Sequence, residues 1–282
     1  PHPAPLSIRK GAMREKISAC LTVGNEESNI ERCLESLKWV DELVVVDSFS
    51  EDRTVEICRK YTDRVYQHDF LGYIKQKELI KKMASNPWIL FVDADEQVSP
   101  ELRDEILDEF ESGRNRQYSG YEFPRRVFYL GRWVTHGEWW PDIKLRLFVK
   151  DKGVCAGREP HDRVVVDGRI KRLNGCLNHF TYDNISDQLA TLNRFSNISA
   201  ASMLKEKRRF SMIDILFRPL FRFFKGYVLK RGFLNGRRGF VIATISAFGV
   251  FLKYAKLWEI SLGESAGGAA SSKSDGSGPA QT

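Results

Sequence analysis

The decapeptide Trp88–Gln97, WILFVDADEQ, sets three carboxylates, Asp93, Asp95 and Glu96, within four positions directly after an apolar run. Negative groups that close repel one another unless something positive holds them. One answer is a divalent cation gripped by the D-x-D pair Asp93 and Asp95. Mg2+ uses one or two carboxylates and fills its shell with phosphate oxygens, so a diphosphate-bearing ligand suits such a site. Gln97 and His179 are the residues available to complete it. The alternative is a solvated loop ahead of a helix, with Ser99 and Pro100 as N-cap and first turn.

A second apolar run ends in an acid at Asp47, in VVVDSFSEDRT. Such a residue either caps the following helix or accepts a bond from a base N–H or ribose hydroxyl. The chain has no G-x-G-x-x-G and no G-x-x-x-x-G-K-[ST], which disfavours dinucleotide and P-loop chemistry. Phosphates would then be neutralised by metal and side chains. Lys75 and Lys77 are available, with a solvated helix face as the plainer account. Two acids suit a general base: Asp142 in WWPD and Asp162 in PHD. Trp139 and Trp140 beside Asp142 predict partial desolvation and a raised pKa, and aromatic faces stack on sugars. Core tryptophans with a turn aspartate are the other reading.

These groups need a frame. Strands are predicted at Lys16–Thr22, Leu43–Val46, Arg64–Tyr66 and the run ending at Val92. Helices are predicted at about 27–38, up to Tyr61 and over 72–84. That alternation predicts an α/β fold with a parallel sheet, whose strand ends carry Asp47 and Asp93. From Tyr118 to Phe180 short aromatic and β-branched runs predict a mixed β region. Beyond Asp183 the pattern is helical to about Glu259, and residues 261–282 are small and polar, which predicts a disordered tail.

Composition is that of an ordinary globular chain, 42% hydrophobic and 29% charged. The five cysteines are widely spaced without any C-x-x-C, which disfavours a disulfide framework or structural zinc and suits a reducing compartment. No apolar h-region follows the N-terminal charges, so no signal peptide is expected. The net charge of +7 is uneven: residues 201–260 carry an excess of ten positive charges, leaving about −3 elsewhere. An anionic partner is implied there. The segment 217–258 mixes Phe and Leu with Arg and Lys, and its apolar run Gly239–Leu252 is shorter than the roughly 20 residues that span a bilayer. Helices lying on an anionic membrane surface fit this best. No recognition motif supports nucleic acid as the partner, and a buried helical hairpin is the plainer account.

The ordered motifs NEESNIERCLESLKWVDELVVVDSFSEDRTVEICRKY, WILFVDADEQ, HGEWWPDIKLRLF, PHDRV and NHFTY resemble glycosyltransferase family 2, and more closely its bacterial lipopolysaccharide-core β-glucosyltransferase branch. The resemblance covers about residues 16–182. It implies a GT-A domain over 14–184; the basic helical region over 185–260 that follows is expected to associate with membrane from its own charge and aromatic content. The resemblance also implies that Asn25, Glu26, Asp47, Lys77 and Asp93 surround the nucleotide. Asp93, Asp95 and His179 would hold Mg2+ or Mn2+, and Asp142 would be the base. The expected reaction is inverting transfer from a nucleotide-diphosphate sugar, UDP-linked, to a lipopolysaccharide-core or other lipid-linked glycan on the inner membrane face, by a cytoplasmic, peripheral protein. Departures from the family pattern are Val23-Gly24 where Thr-Tyr is common, Phe49 for a usual Gly, Glu78 for Asn, and Asp162 for Glu. A sugar-phosphate nucleotidyltransferase is the second enzymatic reading, although only Gly24 follows the first strand. A non-catalytic membrane-surface adaptor is the third.

Overall fold

A computed structural model describes residues 14–158, 161–182, 184–206 and 210–271, without the side chains of Arg158, His161 and 263–271. The chain forms two compact units, one ending at Phe128 and resuming over Trp140–Thr181, the other comprising Tyr129–Trp139 and the chain from Tyr182 onward.

In chain order the first unit begins β1 (Ile17–Val23), α1 (Ile30–Glu35), β2 (Glu42–Asp47), α2 (Thr54–Cys58), β3 (Val65–Gln67), α3 (Tyr73–Met83) and β4 (Trp88–Phe91). Then come β5 (Glu96–Val98), α4 (Pro100–Glu111) and β6 (Gly120–Tyr129). After β7 (Arg132–Trp133), which belongs to the second unit, follow β8 (Asp142–Val149), β9 (Gly153–Arg158), β10 (His161–Val166), β11 (Ile170–Arg172) and β12 (Leu177–His179).

The main sheet runs β3-β2-β1-β4-β8-β6-β12-β5, and β9 and β10 form a separate hairpin. Strands β3, β2, β1 and β4 are mutually parallel, as the strand–helix alternation predicts. Both faces of this half are covered. Ile17, Ala19, Leu21, Trp88 and Leu90 pack on one side, Cys20, Val44, Val46, Ile89 and Phe91 on the other. Continuous apolar strands follow from that double burial. Beyond β4 the sheet turns antiparallel at β8 and β6. Ser99 caps α4, accepting from the Leu102 N–H, and Pro100 occupies its first position, as predicted.

In the second unit α5 (Ile185–Lys205), α6 (Met212–Phe224) and α7 (Arg237–Ser271) pack together, with a π-turn at Lys225–Leu229 and a 3-10 turn at Gly232–Asn235. Ala200 and Met203 of α5 meet Tyr254 and Leu257 of α7 in a small core. Helix α7 passes the boundary at 260 where the sequence places the tail, because Glu264 and the alanines at 266, 269 and 270 sustain helix despite three glycines. The tail beyond Ser271 lies outside the described residues. The span Arg237–Leu262, 26 residues, is by length and composition alone apolar enough to cross a bilayer. The shorter run expected from sequence understates it, since Lys253, Lys256 and Glu259 interrupt the run without ending the helix.

Candidate active site

The carboxyl ends of β1, β2 and β4 deliver Asn25, Asp47 and Asp93 to one edge of the sheet. Antiparallel β8 begins at that same edge with Asp142, paired with Arg125 of β6. The β6–β8 ladder slips at Tyr121/Glu122: Glu122 faces Leu145 while Tyr121 faces Leu147, so Arg146 is the extra residue of a bulge. Bulges re-aim side chains. Here Leu145 packs with the Phe148 cluster, Leu147 goes to the opposite core, and Arg146 turns toward the carboxylates.

The result is a chain of alternating charge. Asp142 binds Arg125 at 2.7 Å, and Arg125 binds Glu96 at 3.2 Å. Glu96 binds Arg146 at 3.2 Å, and Arg146 binds Asp93 at 2.5 Å. Asp93 is 3.3 Å from the Lys77 ammonium, which lies 2.8 Å from Asp162. Both candidate bases and the first aspartate of the D-x-D therefore belong to one network. Burial by itself would raise the Asp93 carboxyl, but the charges of Arg146, Lys77 and Arg125 overcome it and hold Asp93 well below the usual carboxylate range.

Asp95 stands outside that chain. Its carboxylate is 2.9 Å from His179 Nε2, brought there by the antiparallel pairing of β12 with β5, which sets His179 opposite Glu96. The structure thus divides the D-x-D: Asp93 faces cations and Asp95 faces imidazole. Gln97 joins neither; it accepts a bond from Asn178 at 3.4 Å. Among the described residues no group of three or more His, Cys, Asp or Glu is placed to hold a metal. Asp95 and His179 form a two-donor set, which suits Mg2+ or Mn2+ arriving with phosphate oxygens better than a resident ion caged by protein.

Three further expectations change. Asp142 does not have a raised pKa: burial pushes it up, but Arg125 and Lys144, the latter at 3.1 Å, push it further down and leave it below the usual value. Trp139 packs in the second unit, edge-on to Tyr129, whereas Asp142 is in the first. Lys77 is no solvated face but is buried, whereas Lys75 is exposed. Asp47 is fully buried and fixes the turn after β2, accepting bonds from the Ser50 N–H and hydroxyl and from Gln67; it does not cap α2, whose N-cap is Arg53. Asn25 braces the same loop, its Oδ1 accepting from the Glu51 N–H. Glu26 has a raised pKa, through burial first and then the charges of Asp95, Asp52 and Asp93, with Asn29 opposing. Phe49 stands at φ 57°, the left-handed region that favours glycine, and its ring is 53% exposed. That costs a non-glycine residue about 1–2 kcal/mol.

Arg125 and Arg146 escape the sequence reading of the site, although Arg146 lies inside the motif HGEWWPDIKLRLF, and Glu96 appears there only as a third carboxylate with no partner named. What this edge defines is a nucleotide-sugar transferase type of α/β site, with acids and cations balanced where parallel strands end. The chain belongs to glycosyl transferase family 2, whose family model matches residues 18–165. It is 33% identical over 258 residues to an uncharacterised glycosyltransferase of Rickettsia typhi, spanning 88% of each chain. It is 28% identical over 250 residues to the lipopolysaccharide core biosynthesis glycosyltransferase LpsC of Rhizobium meliloti, covering 86% of this chain and 92% of that one. Among solved structures it is similar to Staphylococcus aureus TarS 1-349 in complex with UDP-GlcNAc, with TM-score 0.47, 17% identity, and coverage of 85% and 81%. The protein is therefore a glycosyltransferase with a GT-A domain and C-terminal helices, which sets aside the nucleotidyltransferase and adaptor readings.

Proposed function

We propose that the protein is an inverting, metal-dependent hexosyltransferase. It moves a sugar from a nucleotide-diphosphate donor, UDP-linked by preference, to a lipopolysaccharide-core or other lipid-linked glycan. The acceptor lies at the inner membrane face, where the basic C-terminal helices meet an anionic surface. The observation carrying this reading is the alternating charge chain that ends in two acids, beside the Asp95–His179 pair. Family membership supports a nucleotide-sugar donor, and likeness to LpsC supports the acceptor class.

Asp142 is the base. Its depressed pKa keeps it ionised at neutral pH, and Arg125 and Lys144 fix its position. The acceptor hydroxyl becomes acidic as its oxygen bonds to the anomeric carbon, so a positioned carboxylate can take the proton then. The new C–O bond forms as the bond from that carbon to the diphosphate oxygen breaks, and the electron pair leaves with the diphosphate. Lys77 and Arg146 supply fixed positive charge beside Asp93. Asp95 and His179 would hold the metal, which when bound neutralises the leaving diphosphate. Phe49, exposed at the same sheet edge, offers an aromatic face for the base.

Calorimetry with UDP-, GDP- and dTDP-sugars, with and without Mn2+, tests the reading. Tight binding of one donor only with metal is expected, lost in Asp95→Ala while the thermal transition stays put. Equal donor affinity in that variant would exclude the metal role.

A further inference from the structure

Helix α6 carries an apolar face that no other part of the described structure covers. Met212 and Ile213, Leu216 and Phe217, Leu220 and Phe221, then Phe224 recur in pairs at helical spacing, and all are 49–68% exposed. The other side is anchored: Ile215 packs on the α5–α7 core, and Phe223 stacks edge-on against Phe240. The bare face is therefore a property of a docked helix, not of a detached one. Contiguous exposed patches of this size mark an interaction surface.

Charge selects the occupant. Arg218, Arg222, Lys225, Lys230 and Arg231 are exposed along and just after this helix; Arg218 pairs with Asp214 and Arg222 with Glu138, and Lys225, Lys230 and Arg231 leave the rim positive. A second copy of the chain, placed face to face, would bring these cations together, which costs energy. A bilayer supplies what both parts need, hydrocarbon for the face and anionic headgroups for the rim. With the π-turn that continues it to Leu229, α6 is roughly 25 Å long, short of a hydrocarbon core of roughly 30 Å, and Arg218 and Arg222 lie within it. It must lie along the surface.

Helix α7 has the length to cross, but its partner prevents it. Lys256 donates to the Asn193 carbonyl at 2.9 Å, to Asn193 Oδ1 at 2.6 Å and to Ser196 at 2.7 Å. Gly249 lets α7 approach Leu192, whose Cδ1 would lie 2.5 Å from a Cβ there. Crossing would take polar α5, with Asn193 and Arg194, into hydrocarbon, where such groups are costly.

We infer that α6 is an in-plane membrane anchor whose apolar face inserts into one leaflet, and that α7 stays packed on α5 without crossing. This deepens the membrane contact of the proposed function and rests on it. The test uses the full-length protein in flotation with phosphatidylcholine vesicles, with and without phosphatidylglycerol, at low and high salt. Nucleotide-sugar binding is titrated in the same samples, so failure of the transferase reading shows separately. The protein should float with anionic vesicles, and part of it should remain bound at high salt. Leu216→Asp combined with Leu220→Asp, both at exposed positions, should lower partitioning at least about a hundredfold, roughly tenfold per lost side chain, with donor binding unchanged. Equal flotation of the variant, or complete release of the natural protein by salt, would overturn insertion. Light scattering that shows a dimer dispersed by the same substitutions, with no flotation, would assign the face to a second copy and overturn it too. Resistance of the membrane-bound protein to alkaline carbonate extraction would overturn the claim that α7 does not cross.

Discussion

Arg146 should be the most expensive single residue in the charge network. It is 7% exposed, bonds Asp93 at 2.5 Å and Glu96 at 3.2 Å, and Glu96 has no solvent exposure. Replacing it with Met keeps volume and removes the cation. Breaking a buried pair from one side costs about 3–5 kcal/mol, because the remaining charges cannot return to water. For a domain of this size that is a fall in Tm of roughly 6–20 °C. The pH dependence follows from the depressed Asp93 carboxyl. A folded pKa below the unfolded value of 3.8 gives stability that is present above pH 3.8 and lost as pH falls through the folded pKa. Without Arg146 that depression shrinks, since burial acts in the opposite direction. The gap between the two proteins should be full at pH 7 and narrow below about pH 4. Adding Asp93→Asn to Arg146→Met should recover about 1–3 kcal/mol as a coupling energy. Scanning calorimetry of the four proteins of this cycle at two pH values is the assay. A loss under about 1 kcal/mol, or one that does not change with pH, would mean the network is worth no more than a surface ion pair.

Three further outcomes are expected. Asp142→Asn should keep donor affinity and lower turnover about 10²–10⁴-fold; if only Asp162→Asn does so in parallel assays, the base is Asp162. Burial pushes the thiols of Cys20, Cys58 and Cys155 up to about 12 and that of Cys33 well up, so Ellman's reagent at mild alkaline pH should reach no more than Cys176 in the native protein and all five cysteines after denaturation. Gly239→Ala should destabilise the helical unit by about 2 kcal/mol or more in urea, because its Cβ would fall 1.8 Å from the Gly232 carbonyl oxygen. An unchanged midpoint would refute that packing.

The parallel half of the sheet was legible because its signals are local. Apolar runs end in Asp47 and Asp93, and Ser99-Pro100 announces the next helix within three residues. The pairing of Asp95 with His179 spans 84 residues, so the residues alone offered His179 beside Gln97 as a candidate, and likeness to a family singled it out. Arg146 stayed hidden for a different reason. In IKLRLF, strict alternation puts Lys144 and Arg146 on one face and Leu145 and Leu147 on the other, the pattern of a half-solvated strand. The bulge breaks that alternation, and nothing within the strand announces it. Asp142 misled for a related reason: its neighbours in sequence are tryptophans, but its neighbours in space are Arg125 and Lys144, and charge outweighs burial. The extent of α7 was underestimated because lysines end an apolar run without ending a helix.

The charge chain also has a kinetic meaning. Lys77 and Arg146 are already occupied by Asp162, Asp93 and Glu96. Any phosphate that reaches these cations must displace a resident carboxylate that stays covalently tethered nearby, at high effective concentration. The protein thus carries its own competitor for any phosphate at these cations. On the proposed function, such an internal rival would weaken donor binding and would recapture the cations once the sugar has moved, favouring release of the spent nucleotide.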